Sequence, residues 1–178
     1  MKNVLIISTS LRSQSNSDAL AEAFAEGARA AGHQVEKISL IGKELHFCRG
    51  CLACLQTGVC VIGDDAREIA QKLAQCDVVV LATPIYYYEM AGQMKTLLDR
   101  MNPLYDSDYR FREVYLLAAA AEEEESAMDG AVQGLSGWIE CFPKATLKGV
   151  VRATGVDKAG AIAGKPFLEQ AYTLGQNC

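Results

Sequence analysis

Two stretches of this sequence combine residue types and spacings that could do chemistry. From Ser8 to Ser17, a hydroxyl-rich loop carrying Arg12 and Asn16 separates the apolar run Val4 to Ile7 from a helical pattern beginning at about Asp18. A helix N-terminus offers unpaired backbone N–H groups and the positive end of its dipole. Ser10, Arg12, Ser15, Asn16 and Ser17 are therefore suited to hold a phosphate dianion at the carboxyl end of a first strand. The second stretch places Cys48, Cys51, Cys54 and Cys60 within one short segment. Cysteines at two-residue intervals with a nearby fourth can converge thiolates on one small volume, as a cubane iron–sulfur cluster needs. The run is not that of bacterial ferredoxins, because the gap before Cys60 is longer and no proline follows it. Free thiols and a structural zinc site are the alternatives, and His46 reads as a loop residue beside them.

A third feature interrupts the apolar run Val78 to Ala82. In Thr83-Pro84-Ile85-Tyr86-Tyr87-Tyr88, Pro84 fixes the backbone, while Ile85 and Tyr86 to Tyr88 offer flat apolar surface that can cover a ring system or pack in a dimer interface. A phosphate site beside an aromatic ledge suits a mononucleotide with a large planar head. Other phosphate ligands lack their signatures: there is no G-x-x-x-x-G-K-S/T run, and the first loop has no G-x-G-x-x-G. Residues 1 to 17 contain neither Asp nor Cys, so the loop would bind phosphate without attacking it.

The elements that must position these residues follow from hydrophobic period. Leu20, Phe24, Gly27 and Ala31 share the face of a first helix that ends at Gly32, and Gln34 to Leu40 reads as a second strand. Ile41 to Gly63 shows no period and is expected to be an ordered loop. Asp64 and Asp65 open a helix with Ala66, Ile69, Ala70 and Leu73 inward; Val78 to Ala82 is a doubly covered parallel strand. Met90, Met94, Leu97, Leu98 and Met101 mark the core side of the next helix. Val114 to Ala120 forms a fourth strand, and Glu122 to Glu125 the solvated first turn of a helix bearing Met128, Val132, Leu135 and Ile139. Lys144 to Thr154 is a fifth strand, and a last helix spans Pro166 to Leu174. Alternation of five strands with five helices predicts an α/β three-layer sandwich with a parallel sheet and right-handed crossovers. With strand order 2-1-3-4-5, ligands bind in the crevice between strands one and three, where the two unusual turns would meet.

Composition bounds the partners. A chain of 178 residues is expected to form one domain over 1–178. A net charge of -5, with no basic stripe, argues against nucleic acid or an anionic membrane surface, and no apolar stretch approaches spanning length. A reducing, cytoplasmic setting follows for the seven cysteines, of which Cys76 and Cys141 are expected to be small buried residues.

These residues resemble a known family. Ser8-Thr9-Ser10-Leu11-Arg12 with Ser15-Asn16-Ser17 is similar to the phosphate loop of the NAD(P)H-dependent FMN reductases, which have a flavodoxin-like fold. Thr83 to Tyr86, with Lys95 and Leu98-Asp99-Arg100, resembles their isoalloxazine-binding turn and following helix. The cysteine run followed by Val61-Ile62-Gly63-Asp64-Asp65 is similar to the cluster motif of the iron-sulfur flavoprotein subgroup. The resemblance implies that Ser10, Arg12, Ser15, Asn16 and Ser17 hold the phosphate of FMN, that Pro84, Ile85, Tyr86, Tyr87 and Tyr88 lie against its ring, and that Ala120, after strand four, contacts the flavin. It further implies Cys48, Cys51, Cys54 and Cys60 as ligands of a 4Fe-4S cluster, and a homodimer or homotetramer. The expected activity is NAD(P)H oxidation through FMN to a small-molecule acceptor. An electron carrier serving a redox protein, and a flavin-free thiol or metal interaction module, are the alternatives. Two positions depart from the family: Thr9 where glycine is common, and the acidic block after strand four, which would oppose an anionic reduced flavin unless it faces solvent.

Overall fold

The computed structural model describes residues 1–178. In chain order, β1 (Asn3–Ser8) leads into α1 (Asn16–Ala30), β2 (Gln34–Ser39), a short α2 (Ala53–Thr57) and α3 (Asp65–Gln75). Then come β3 (Val78–Tyr86), β4 (Glu89–Met90), α4 (Gly92–Asp99), β5 (Glu113–Ala119), α5 (Asp129–Glu140), β6 (Thr146–Ala153) and α6 (Phe167–Gln176). The sheet runs β2-β1-β3-β5-β6 with every neighbour parallel, which is the expected order 2-1-3-4-5; β4 pairs antiparallel with β3 off this path.

The apolar runs are uninterrupted because both sheet faces are covered. Leu5, Ile7, Val79 and Leu81 point into one core with α3, α4 and α5, whereas Val4, Ile6, Val78 and Val80 point into the other with α1 and α6. On that second face, α1 and α6 touch backbone to backbone. A Cβ on Gly27 would lie 2.0 Å from the Tyr172 carbonyl oxygen, and one on Gly175 would lie 2.1 Å from that of Phe24. Glycine is required at both positions for the helices to close.

Several boundaries differ from the sequence expectation for local reasons. The turn after Ala82 does not break β3. Pairing with β1 stops at Ala82, so Pro84 has no donor to supply on that side, and the strand runs on to Tyr86 and folds back as a hairpin with β4. Met90 thus sits in β4 rather than in the helix, yet remains in the core beside Met94 and Leu97. The hairpin turn is Tyr87-Tyr88, both with positive φ (50° and 64°), and the Tyr88 carbonyl presses on α5, where a Cβ at Gly130 would come within 2.6 Å of it. The cysteine segment contains α2, which buries Cys54. Glu125 opens a single 3-10 turn, and α5 starts only at Asp129. Cys141 is exposed, in contrast to Cys76, because it caps the outer end of α5.

Candidate functional site: a phosphate cleft and a cysteine hollow

At the carboxyl ends of β1 and β3, the two loops singled out by sequence line one cleft of about 180 Å³. Ser10, Arg12, Ser15, Asn16 and Ser17 form one wall and Pro84, Ile85 and Tyr86 another. Ser15 caps α1: its hydroxyl accepts from the Asp18 N–H at 3.1 Å and lies 3.3 Å from the Ser17 hydroxyl. The Asn16 and Ser17 amides stand in the first helical turn, where no upstream carbonyl within the helix can satisfy them. Buried hydroxyls, free first-turn amides and the Arg12 guanidinium at the mouth make a donor set that fits a phosphate dianion. Thr9 needs no glycine-like conformation; its φ is not positive, and its amide and hydroxyl both donate to the Ala82 carbonyl at 2.9 Å.

Not every expected residue reaches the cleft through its side chain. The Asn16 side chain is consumed in structure: Nδ2 donates to the carbonyls of Val156 and Lys158, and Oδ1 accepts from the Ile162 N–H. Only its backbone amide remains for a ligand. Ala120 is buried, with its amide bonded to the Ala153 carbonyl and its own carbonyl accepting from Val156; Ala119 and Ala121 line the cleft in its place, since strand alternation turns Ala120 away. Tyr87 and Tyr88 lie outside the cleft at the hairpin tip, Tyr87 fully exposed. Glu122 to Glu125 are exposed, so their charges face solvent. Val156 and Asp157, which follow β6, are site residues that sequence reading missed; the Asp157 carbonyl accepts from Arg12 Nη1 at 2.9 Å. Their signal was the Gly155-Val156-Asp157 turn directly after the last strand, with Gly155 at φ 62°.

The four cysteines of the run share one hollow without gathering around a single point. Cys48, Cys51, Cys54 and Cys60 line a single small hollow of about 20 Å³, Cys48 and Cys51 at its exposed rim and Cys54 at its base. Burial and the neighbouring Cys60, Cys51 and Cys48 push the Cys54 thiol up. Beneath lies Arg100, whose side chain has no exposed surface and which forms a two-pronged ion pair with Asp64 at 2.6 and 2.8 Å. Burial alone would raise the Asp64 carboxyl; hydrogen bonds from Arg100 and the His46 amide outweigh it and hold the group below the usual carboxylate range. Arg100 Nη2 also donates to Cys60 Sγ at 3.3 Å, and the Gly50 amide donates to Cys48 Sγ at 3.5 Å. No three His, Cys, Asp or Glu side chains are gathered around one point as a lone metal ion requires. A cubane spreads its ligands wider, each thiolate on a different iron, and four thiols, two of them with donors aimed at their sulfurs, are a donor set that fits it. The hollow is open at its rim, where the two exposed thiols stand.

A parallel sheet of this order with a cleft at its switch point is that of the flavodoxin-like fold. Residues 2–155 match the family model described as NADPH-dependent FMN reductase, and the chain belongs to that family. An iron-sulfur flavoprotein of Archaeoglobus fulgidus is 38% identical over 103 residues, covering 58% of this chain and 46% of that protein. One from Methanosarcina thermophila is 26% identical over 134 residues, covering 75% of this chain and 70% of that protein. The chain thus spans about half the length of the first of these relatives. Among solved structures, an NAD(P)H:quinone oxidoreductase from Methanothermobacter marburgensis superposes with a TM-score of 0.79 at 18% identity, over 99% of this chain and 95% of that one. No helix is long and apolar enough to cross a membrane.

Proposed function

We propose that the protein is an FMN-dependent NAD(P)H oxidoreductase of one domain, passing electrons to a small-molecule acceptor. The observation that carries this is the meeting of the Ser10 to Ser17 loop with Pro84 to Tyr86 over the N-terminus of α1. Serine hydroxyls and first-turn amides would bind the phosphate, and Arg12 would neutralise it at the mouth. A cleft of about 180 Å³ takes the ribityl phosphate and leaves the planar ring at the open end, against Pro84, Ile85 and half-exposed Tyr86. Bound FMN supplies the redox chemistry, and the protein supplies position and electrostatics. Glu122 to Glu125 are turned to solvent and do not line the cleft, whose one acidic lining residue is Asp157. Exposed Tyr86 to Tyr88 beside that seat support a homodimer or homotetramer in which a second copy covers it. Seven free thiols suit a cytoplasmic, reducing setting. Fluorescence titration of the purified protein with FMN, followed by anaerobic addition of NADH or NADPH, tests the reading. Bleaching of the flavin band supports it, and failure to retain FMN at micromolar concentration removes it.

The cysteine hollow favours a second role, as a flavoprotein that also holds a 4Fe-4S cluster on Cys48, Cys51, Cys54 and Cys60 and hands electrons to a redox protein. Iron and sulfide at about four each per chain after anaerobic purification would support it. A yellow, iron-free protein would leave the first reading alone.

A further inference from the structure

We propose that Arg100 is a positioning residue of the cysteine loop: pinned by Asp64, it closes the loop's neck and donates a directed hydrogen bond to Cys60 Sγ that makes a cluster held there easier to reduce. The inference rests on the cluster reading above and concerns a residue that makes none of the cluster's bonds.

Arg100 caps α4, and its side chain is wholly buried. Nη1 donates to the His46 carbonyl at 2.7 Å as well as to Asp64, and Nη2 donates to the Ile62 carbonyl and to Cys60 Sγ, both at 3.3 Å. Asp64 Oδ2 in turn accepts from the His46 N–H at 2.7 Å. His46 is therefore held at both its amide and its carbonyl by the same ion pair that holds Ile62. The chain entering the cysteine loop and the chain leaving it are tied at one point, with no metal needed to bring them together.

An apolar pair of similar volume would close the neck without desolvating two charges. The pair also leaves Arg100 Nε buried with no acceptor, a further cost that structure alone does not recover. What only the guanidinium can do is donate to a sulfur. Asp64 cancels its net charge, so the sulfur feels mainly the aimed N–H dipole, undiminished by water. A hydrogen bond to a cluster sulfur favours the more negative, reduced state and raises the reduction potential. Reduction here adds one electron to the cluster from an external donor, with no proton taken up and no bond made or broken. Arginine's fork matters because it binds the carboxylate with both arms and still presents a hydrogen to Cys60; a lysine ammonium cannot span both.

The test compares wild type, Arg100→Lys, and the double variant Asp64→Leu with Arg100→Met, which replaces the ion pair by apolar groups and guards against simple unfolding. Each is purified anaerobically, assayed for iron, sulfide, FMN and thermal melt, and titrated with dithionite while the electron paramagnetic resonance signal of the cluster is followed. Both variants should keep FMN and shift the midpoint to more negative potential by at least a tenfold change in the oxidised-to-reduced ratio, about 59 mV for one electron. The iron-free form of Arg100→Lys, which loses the two-armed tie to Asp64, should be cut faster than iron-free wild type by protease within residues 47 to 61, whereas the apolar double variant, which still closes the neck, should be cut no faster. An unchanged midpoint in an iron-replete variant overturns the proposal. Should Arg100→Lys lose iron altogether, a cleavage rate equal to that of iron-free wild type overturns it and faster cleavage supports it. A wild-type protein with FMN but no iron or sulfide removes the cluster reading and this inference with it, leaving the flavin reading intact.

Discussion

Asn16 and Val156 are joined across 140 residues of sequence: the Asn16 side-chain amide donates to the Val156 carbonyl at 2.8 Å. With its bonds to Lys158 and Ile162, this one side chain makes the first loop and the last loop of the sheet a single unit around the cleft. Asn16→Ala leaves those partners unpaired and should cost about 1–3 kcal/mol of stability, read as a lower urea midpoint. Asn16→Asp should cost more, because an oxygen would then face two carbonyls. Both should weaken FMN binding.

Ser15 has two jobs that a ligand pair separates. Ser15→Ala removes the cap of α1 and should lower stability by about 1 kcal/mol. It also removes a hydroxyl from the end of the cleft proposed to hold the phosphate. Fluorescence titration should show weakened FMN binding with riboflavin binding unchanged; equal losses for the two would place the phosphate elsewhere.

Asp77 ties the start of β1 to the approach to β5, accepting from the Asn3 N–H at 2.8 Å and from Arg110 Nη2 at 2.7 Å. Burial acts to raise this carboxyl, but the Asn3 amide and Arg110 outweigh it and hold it below its ordinary value. Its contribution is therefore complete above the unfolded value of about 3.9 and fades as pH falls through the lower folded value. In Asp77→Asn the loss of stability below about pH 4 should be shallower than in wild type. At pH 7 the cost should stay near 1 kcal/mol or less, since the Arg110 partner is more than half exposed. Urea midpoints at stepped pH values between 2.5 and 7, roughly spanning both limits, provide the check.

The hairpin tip carries two tyrosines in a backbone conformation that favours Asn and Gly. Replacing Tyr87-Tyr88 by Asn-Gly should raise stability by about 1–2 kcal/mol, because left-handed backbone is costly for bulky residues. If the rings cover a flavin from a neighbouring copy, the same variant should oxidise NAD(P)H more slowly and dissociate more readily on size exclusion. Gains in stability without either loss would make the tyrosines dispensable.

Much of this was legible in residue order because it is periodic or local. The two-faced runs of β1 and β3 announced a doubly covered parallel sheet, and topology alone sent the loops after them to one crevice. Cysteine spacing foretold a common hollow for the same reason: four thiols in a short loop have few other places to go. The continuation of β3 past Pro84 was not legible, since it depends on β1 ending at Ala82.

What the sequence determined by itself is therefore the set of chemical groups and the end of the sheet where the cleft forms. Tertiary structure decided how each group is used. Asn16 looks like a phosphate ligand until the loop after β6 claims its side chain, and Arg100 looks like an ordinary helix end until burial against Asp64 aims it at Cys60. Both outcomes depend on partners more than thirty residues away, and hydrogen-bond direction and burial exist only once those segments meet.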